Sequence, residues 1–402
     1  MAGSETSGSE TSETSIDAFR AQVRDFLEAR FSPLDPLADD RREDIITRAP
    51  GGEKPLVDAA VALQRDLAAA GLAAAHVPVE HGGRGLTPAH HKVLEAELRH
   101  FDAPSLRPLR IGMHLVLGTL LRSASEEQKA RYVPPLVRAE EQWCQLFSEP
   151  DAGSDLASLR TRATLVEGRW VLNGQKVWSS YAARADFGLL LARSDPDAAK
   201  PQVGMTMFVL PMAAPGVTVT ELVDITGGRH FNEVFLEDVR LGPEMVVGEV
   251  NAGWAVSQGT LGGERSGYMG GCGGGRRARQ VIGAATSHHK VDDATVRQRI
   301  AAVVSAERVL EWVRDRYADG SLCDGHPAAG SMMKLIAGTL EQTSSELVAD
   351  ISGPAALAWA SDDVDGDIPA HDLNATRQSR IAGGTHEIQR NLLAERVLGL
   401  PR

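Results

Sequence analysis

Cysteine is scarce: Cys144, Cys272 and Cys323 are the only three in 402 residues, and none stands in a CxxC pair. An odd, scattered set of thiols excludes a disulfide framework or a thiolate metal cluster. It fits a reducing compartment, so the expected localisation is cytoplasmic, with all three thiols buried and inert. Long apolar runs are missing as well. Nothing approaches the roughly eighteen residues a membrane span needs, and none is expected. Positive charge is in deficit, 42 Lys and Arg against 54 Asp and Glu. A net charge of -12 argues against nucleic acid or an anionic membrane surface as the partner. Aromatics make up only 5%, while Ala and Leu abound, which favours helices over an all-β fold.

What is present divides the chain into four stretches. Met1 to Ser15 is a Gly, Ser, Glu and Thr near-repeat that reads as a disordered tail, with neither a signal nor a transit pattern. Residues 16–142 read as a helical domain. Ile16, Phe19, Val23, Phe26 and Leu27 fall on one helix stripe, further helices are expected near 54–70, 87–101, 108–122 and 126–138, and a turn-rich loop at His76–Gly85 contains three glycines suited to positive φ. Residues 143–247 carry short strand-like runs bounded by Gly, Pro, Asn or Asp: Trp170–Leu172, Gly188–Ala192, Met205–Leu210, Val217–Val219 and Glu233–Leu236. Residues 248–402 turn helical again. The run Gly270–Gly275 weakens a helix there, and with no strand before it close packing or a kink is a better reading than a phosphate loop. The acidic stretch Asp362–Asp367 lacks EF-hand spacing and is expected as a solvated loop.

Three segments carry chemistry. Ser148-Glu149-Pro150-Asp151-Ala152-Gly153-Ser154-Asp155 offers hydroxyls and turn amides to an anionic or carbonyl-rich ligand, or is an ordinary acidic turn. In Asn173-Gly174-Gln175-Lys176-Val177-Trp178-Ser179-Ser180 the Asn-Gly pair signals a hairpin. Trp178 then falls on the following strand, either stacked on a flat ring or as a core tryptophan. In Gly383-Gly384-Thr385-His386-Glu387 two glycines precede a helix entrance whose free amides suit an anion or carbonyl oxygen. His386 there either touches ligand or faces solvent. The pairs His90-His91 and His288-His289 are adjacent, so their side chains diverge on a helix. They are expected to be exposed, and no metal site is expected.

In this order and spacing the three segments resemble the acyl-CoA dehydrogenase family, over nearly the whole chain after the tail. Ser125-Glu126-Glu127-Gln128-Lys129 and Asn232–Val239 match as well. The resemblance implies a mainly α, α+β fold: an N-terminal helical domain, a central β-barrel-like domain and a C-terminal four-helix bundle. It implies FAD as cofactor, an acyl-CoA substrate desaturated between its α and β carbons, and an electron-transferring flavoprotein as acceptor. By position, Gln145, Leu146, Ser148 and Gly153 meet the flavin, Ser154 touches both cofactor and substrate, Trp178 lies against the ring with Ser179 and Ser180 beside it, and Gly353, Thr385 and Glu387 sit near the rest of the cofactor.

Many members carry the catalytic base directly before the Gly-Thr of the third segment, where this chain has Gly383. One branch places a glutamate at the position of Glu264, in Gly262-Gly263-Glu264-Arg265. The resemblance therefore assigns Glu264 as base, with Arg265 ordering the substrate site, since a guanidinium holds its proton too tightly for acid–base work. The resemblance also implies that the Gly383 amide donates to the thioester oxygen. The family's arginine-aromatic-Phe-Gly signature is replaced by Ile282–His289, so Arg276, Arg277 and Arg279 either supply charge to a pyrophosphate or form a solvated helix face. Assembly as a homotetramer or homodimer is implied, or a hetero-oligomer that divides base and cofactor contacts between subunits. The alternatives on this fold are a flavin monooxygenase or oxidase and a non-catalytic subunit.

Overall fold

The computed structural model describes residues 14–34, 54–267, 275–357 and 368–401, with the side chains of 262–267 and a few other positions outside that description. Cys272, most of the Gly270–Gly275 run and the Asp362–Asp367 stretch lie outside the described residues.

The N-terminal part is helical, as its periodicity requires. Helix α1, Ile16–Glu28, buries Phe19, Val23, Phe26 and Leu27 on one stripe. Ser15, at the end of the expected tail, is its N-cap and accepts from the Ala18 amide at 3.1 Å. Helices α2 (Lys54–Ala69) and α3 (Pro88–Leu98) follow. The stretch expected as one helix near 108–122 is instead a π-helical turn, Ile111–Val116, running into α4, Leu117–Ser123. Helix α5, Glu126–Val137, starts on a reciprocal capping box between Ser125 and Gln128. The same Gln128 amide donates to the carbonyls of Glu244 and Val246, both at 2.8 Å, and so ties α5 to the end of the β-domain.

Strands β1 (Trp143–Leu146), β2 (Arg162–Val166), β3 (Arg169–Ser180), β4 (Phe187–Arg193), β5 (Met205–Pro211), β6 (Val217–Leu222), β7 (Phe231–Leu241) and β8 (Val246–Val247) form one eight-stranded sheet. Its order is β6-β7-β3-β2-β4-β5-β8, with β1 parallel on β4. Strands β4 and β5 are continuous apolar runs because both their faces are covered. Leu189, Leu191, Met205, Met207 and Val209 point into the core shared with the N-terminal helices. The alternate residues Leu190, Ala192, Phe208 and Leu210 join Trp170, Leu172, Val234 and Leu236 in a second core.

Two turn expectations are corrected. The β2–β3 hairpin turns at Glu167-Gly168, both at positive φ, and not at Asn173-Gly174. Asn173-Gly174 interrupts the β3–β7 register as a bulge. There the Asn173 side chain bonds Asp238 twice, and a Cβ on Gly174 would come within 2.4 Å of Thr161 Oγ1. In the His76–Gly85 loop, Gly82 and Gly85 adopt positive φ but Gly83 does not. Its lack of a side chain serves close approach instead, since a Cβ would stand 2.0 Å from the Val77 carbonyl oxygen.

The C-terminal part is built around α9, Gly330–Ser352. It touches α6 (Gly253–Gly267), α7 (Arg276–Ser287), α8 (Ala294–Ala318), α10 (Ile368–Ala375) and α11 (His386–Leu392). Its core includes Val281, Ala285, Leu310, Met333, Ala337, Leu340 and Leu347. The arginines at the start of α7 are no solvated face: Arg276 and Arg277 are buried. Helix α7 lacks a side-chain cap of its own, and Glu307 of α8 supplies one by accepting from the amides of Arg277 and Ala278.

Gly83→Ala is expected to destabilise the fold by about 1–3 kcal/mol, because the clash is with backbone and has no flexible partner to yield. Urea unfolding of the variant beside the parent checks this, and an unchanged midpoint would remove the close-approach argument.

Candidate active site

Strand β1 and the turn after it lie alongside the end of β3, held there by one backbone bond, Val177 N–H to the Ser148 carbonyl at 2.9 Å. That bond brings Gln145 to Ser148, at the entry to the first chemical segment, against Trp178 to Ser180 at the end of the second. Leu146 is fully buried as a support, while Gln145 and Ser148 are half-buried. Beyond Ser148 the chain turns tightly through a Glu149–Ala152 bridge, which leaves Gly153 and Ser154 exposed at the rim.

A buried ion pair fixes this turn. Lys176 is 0% exposed and donates to Glu149 Oε1 and to the Phe147 carbonyl, both at 2.9 Å. Glu149 also accepts from the amides of Arg160 and Thr161, at 2.6 and 2.8 Å. Burial alone would raise the Glu149 carboxyl, but Lys176 and the amide donors outweigh it and hold the group below its usual range. Burial pushes the Lys176 ammonium down to about 8. Neither residue stands out in the sequence, where Lys176 carries no distinguishing pattern and Glu149 reads as part of an acidic turn.

Next to this pair the strand bulges between Lys176 and Ser179. Trp178 sits in the bulge at φ 60°, a conformation that costs a bulky residue on the order of 1–3 kcal/mol. The bulge turns the indole outward, 58% exposed, edge-on to Phe231 at 5.5 Å. Trp178 is therefore no core tryptophan. Below it Ser179 is buried with its Oγ lacking a protein partner, opposite Asn232, whose Nδ2 lacks one too. A strained, presented indole beside half-buried hydroxyls and orphaned polar atoms fits a flat, polar-edged ring such as a flavin.

The third segment stands on the C-terminal bundle. Gly383 and Gly384 both adopt positive φ, and Thr385 N-caps α11, accepting from the Ile388 amide. Gln389 reaches back to the carbonyls of Gly383 and Gly384. Glu387 is exposed in the first turn of α11, where its own backbone amide and then the Thr385 hydroxyl lower its carboxyl. His386 does not face solvent: it is 1% exposed on Gly338 of α9, and burial lowers its imidazole. Gly353 ends α9 at φ 62° with open space around it.

Glu264 and Arg265 fall on the backbone of α6, one turn beyond Thr260, which bonds Thr119 of α4 at 2.7 Å. Their side chains lie outside the described residues. Of the three arginines that could serve a pyrophosphate, Arg277 is engaged by Gln280 and by Glu341. The thiols divide: Cys144 is buried and pushed up to about 12 by that burial, whereas Cys323 is only half-buried. His90 is buried rather than exposed and bonds Thr87 and Thr14, while His288 and His289 are exposed.

Family models for the acyl-CoA dehydrogenase N-terminal, middle and C-terminal domains match residues 13–140, 144–239 and 251–398. The chain is 34% identical over 399 residues to "Acyl-CoA dehydrogenase IpdE1" of Mycobacterium tuberculosis, covering 96% of this chain and 98% of that one. Among solved structures, the "Tcur3481-Tcur3483 steroid ACAD" superposes with a TM-score of 0.79 at 24% identity, over 96% of this chain and 98% of the other. The "glutaryl-coenzyme A dehydrogenase glutaryl-CoA complex" gives 0.73 at 22%, over 96% and 95%. At these identities the structural likeness speaks for the fold alone.

Removing one member of a buried ion pair leaves the other charge uncompensated, at a cost of about 3–5 kcal/mol. Lys176→Met is therefore expected to lose that much stability. Lys176→Met with Glu149→Gln should lose less than the sum of the single changes. A double-mutant cycle by chemical denaturation reads both, and strict additivity would show that the pair is not coupled.

Proposed function

The chain belongs to the acyl-CoA dehydrogenase family of oxidoreductases, and from that premise we propose that it holds FAD against Trp178 and desaturates an acyl thioester between its α and β carbons. The observation that carries this reading is the presented indole of Trp178 beside Ser148, on a turn braced by the Lys176–Glu149 pair. Bound FAD would supply the hydride acceptor. Gln145, Ser148, Trp178, Ser179 and Ser180 would hold its ring. Gly153, Ser154, Gly353, Thr385 and Glu387 would serve the rest of the cofactor, with Ser154 also meeting the substrate.

In this reading Glu264 takes the α-proton. A carboxylate excluded from water is suited to that work, because burial raises its pKa toward the operating range. As the α-proton leaves, negative charge grows on the thioester oxygen, and the Gly383 amide is the donor that meets it. Glycine at 383, held at φ 69°, keeps that amide while presenting no side chain of its own. Arg265 orders the acyl carrier rather than moving a proton. Electrons then pass to an electron-transferring flavoprotein in the cytoplasm. One structural neighbour is a "steroid ACAD", which makes bulky polycyclic acyl thioesters the first substrate class to try.

One set of observations favours assembly with a related but different subunit. Gly383 brings no carboxylate, Arg277 is already engaged, and Val309 and Trp312 of α8 are exposed, the tryptophan by 59%. Neighbours on this fold include the "ChsE4-ChsE5 complex from Mycobacterium tuberculosis", with a TM-score of 0.74 at 24% identity.

Glu264→Gln is expected to slow reductive bleaching of bound flavin by an acyl-CoA at least about 10²-fold, with flavin content unchanged. Bleaching at the parent rate would rule out this base. The parent protein should be yellow when purified alone; a colourless protein that gains flavin only with a second chain would replace the single-subunit reading by the paired one. Reduced enzyme that reoxidises rapidly in air would favour oxidase or monooxygenase chemistry.

A further inference from the structure

Three separate parts of the N-terminal domain meet at a group of imidazoles outside the site described above. His91 and Glu95 lie one turn apart on α3, His114 comes from the π-helical turn Ile111–Val116, and His76 stands in the loop after α2. His91 Nε2 is 3.9 Å and His114 Nε2 3.7 Å from the same oxygen, Glu95 Oε1. The rings of His76 and His91 are 5.2 Å apart, and those of His91 and His114 are 5.6 Å apart. Adjacency of His90 and His91 rules out a metal clamp made by that pair, but the fold supplies His91 with different partners 4 and 23 residues further along.

We infer that His91, Glu95 and His114 form a binding site for a borderline divalent transition metal such as Zn²⁺, with His76 flanking it. One donor atom from each of the three already lies within 4.8 Å of the others. Tetrahedral zinc with bonds of about 2.0–2.1 Å holds its ligand atoms roughly 3.3–3.4 Å apart. Closing the group onto an ion therefore asks for side-chain movements of an ångström or so. The His-x-x-x-Glu spacing puts two ligands on one helix face, the arrangement that helical metal sites use. The three side chains are 22–33% exposed, so an ion has a way in. They also line a cavity of about 110 Å³, which gives room for a water or small anion at a fourth position.

One further observation fits. Nδ1 of His76 and Nδ1 of His91 are buried without a protein hydrogen-bond partner, and an ion or its bound water would give such nitrogens one. The ligand chemistry, two imidazoles and one carboxylate, favours Zn²⁺ or its neighbours over Mg²⁺ or Ca²⁺, which prefer all-oxygen shells.

The test uses the full chain with its flavin, stripped with a chelator, loaded with ZnCl₂ and passed through a desalting column. Metal content is read by mass spectrometry, affinity by calorimetry and Tm by scanning. One zinc per chain and a zinc-dependent rise in Tm are expected. His114→Ala and Glu95→Gln should each weaken zinc binding at least about tenfold and abolish the Tm rise. Glu95→Gln keeps the shape of the side chain and carries the test should His114→Ala not fold. A double His288→Ala, His289→Ala variant, which alters exposed imidazoles elsewhere, should bind as the parent does. No retained zinc, or the same affinity in Glu95→Gln as in the parent, would overturn the site. Zinc lost in the His288/His289 variant and kept in Glu95→Gln would also overturn it, by locating the binding there.

Discussion

The Lys176–Glu149 pair is the constraint on which the candidate site rests. A lysine with no exposed surface costs several kcal/mol in lost hydration and is tolerated where a carboxylate and further acceptors meet its ammonium. Here two acceptors are fixed by the protein, the Phe147 carbonyl and the Glu149 carboxylate, and Glu149 is itself fixed by two backbone amides. The arrangement is a clasp. It joins the turn after β1 to the end of β3 and closes the start of β2 onto both. Ser148 and Trp178 lie on either side of it, so the site inherits the rigidity of the pair. A hydrophobic pair would pack as well but would leave the amides of Arg160 and Thr161 without their acceptor. The charge is retained because it satisfies backbone, and only secondarily because it attracts a partner.

With the clasp in place, strain becomes tolerable nearby. Trp178 occupies positive φ in a bulge, and Ser179 beneath it is buried with an orphaned hydroxyl. Both features are unfavourable in the chain alone. They persist because β3 is anchored on one side by Lys176 and on the other by the Ser179–Asn232 and Ser180–Phe231 pairs with β7. A surface that is costly when bare and rigid enough not to relax is preorganised for a ligand.

How much of this could be read from the sequence depends on whether the signal is local. Helix α1, the capping box at Ser125–Gln128, the apolar runs of β4 and β5 and the αL glycines before Thr385 follow from spacing and residue type within a few positions. The Asn173-Gly174 hairpin failed because the dipeptide permits a turn without requiring one. Here Asn173 found Asp238, 65 residues away, and Glu167-Gly168 took the turn. The clasp, the Glu307 cap on α7 and the gathering of His76, His91 and His114 were illegible for the same reason. Each pairs residues far apart in the chain, and none has a pattern that separates it from solvated surface. Gly83 was legible as a turn glycine, but the reason for it, a carbonyl packed against its Cα, appears only in three dimensions.

The C-terminal bundle shows how burial redirects charge. The arginines at the start of α7 have the composition of an anion-binding face, yet α8 answers the helix amides there and α9 answers Arg277. Glu307 takes the free amides that an incoming phosphate would otherwise use, and Glu341 stands 3.8 Å from the Arg277 guanidinium. An anion arriving at this helix start would compete with carboxylates already in place, at the cost of exposing the buried Glu307 and the partly buried Glu341 to its charge. Because Glu307 and Glu341 are carried by neighbouring helices of the same bundle, such competition would disturb the packing of α7, α8 and α9 together. The start of α7 around Arg277 is thus better understood as a neutralised structural joint.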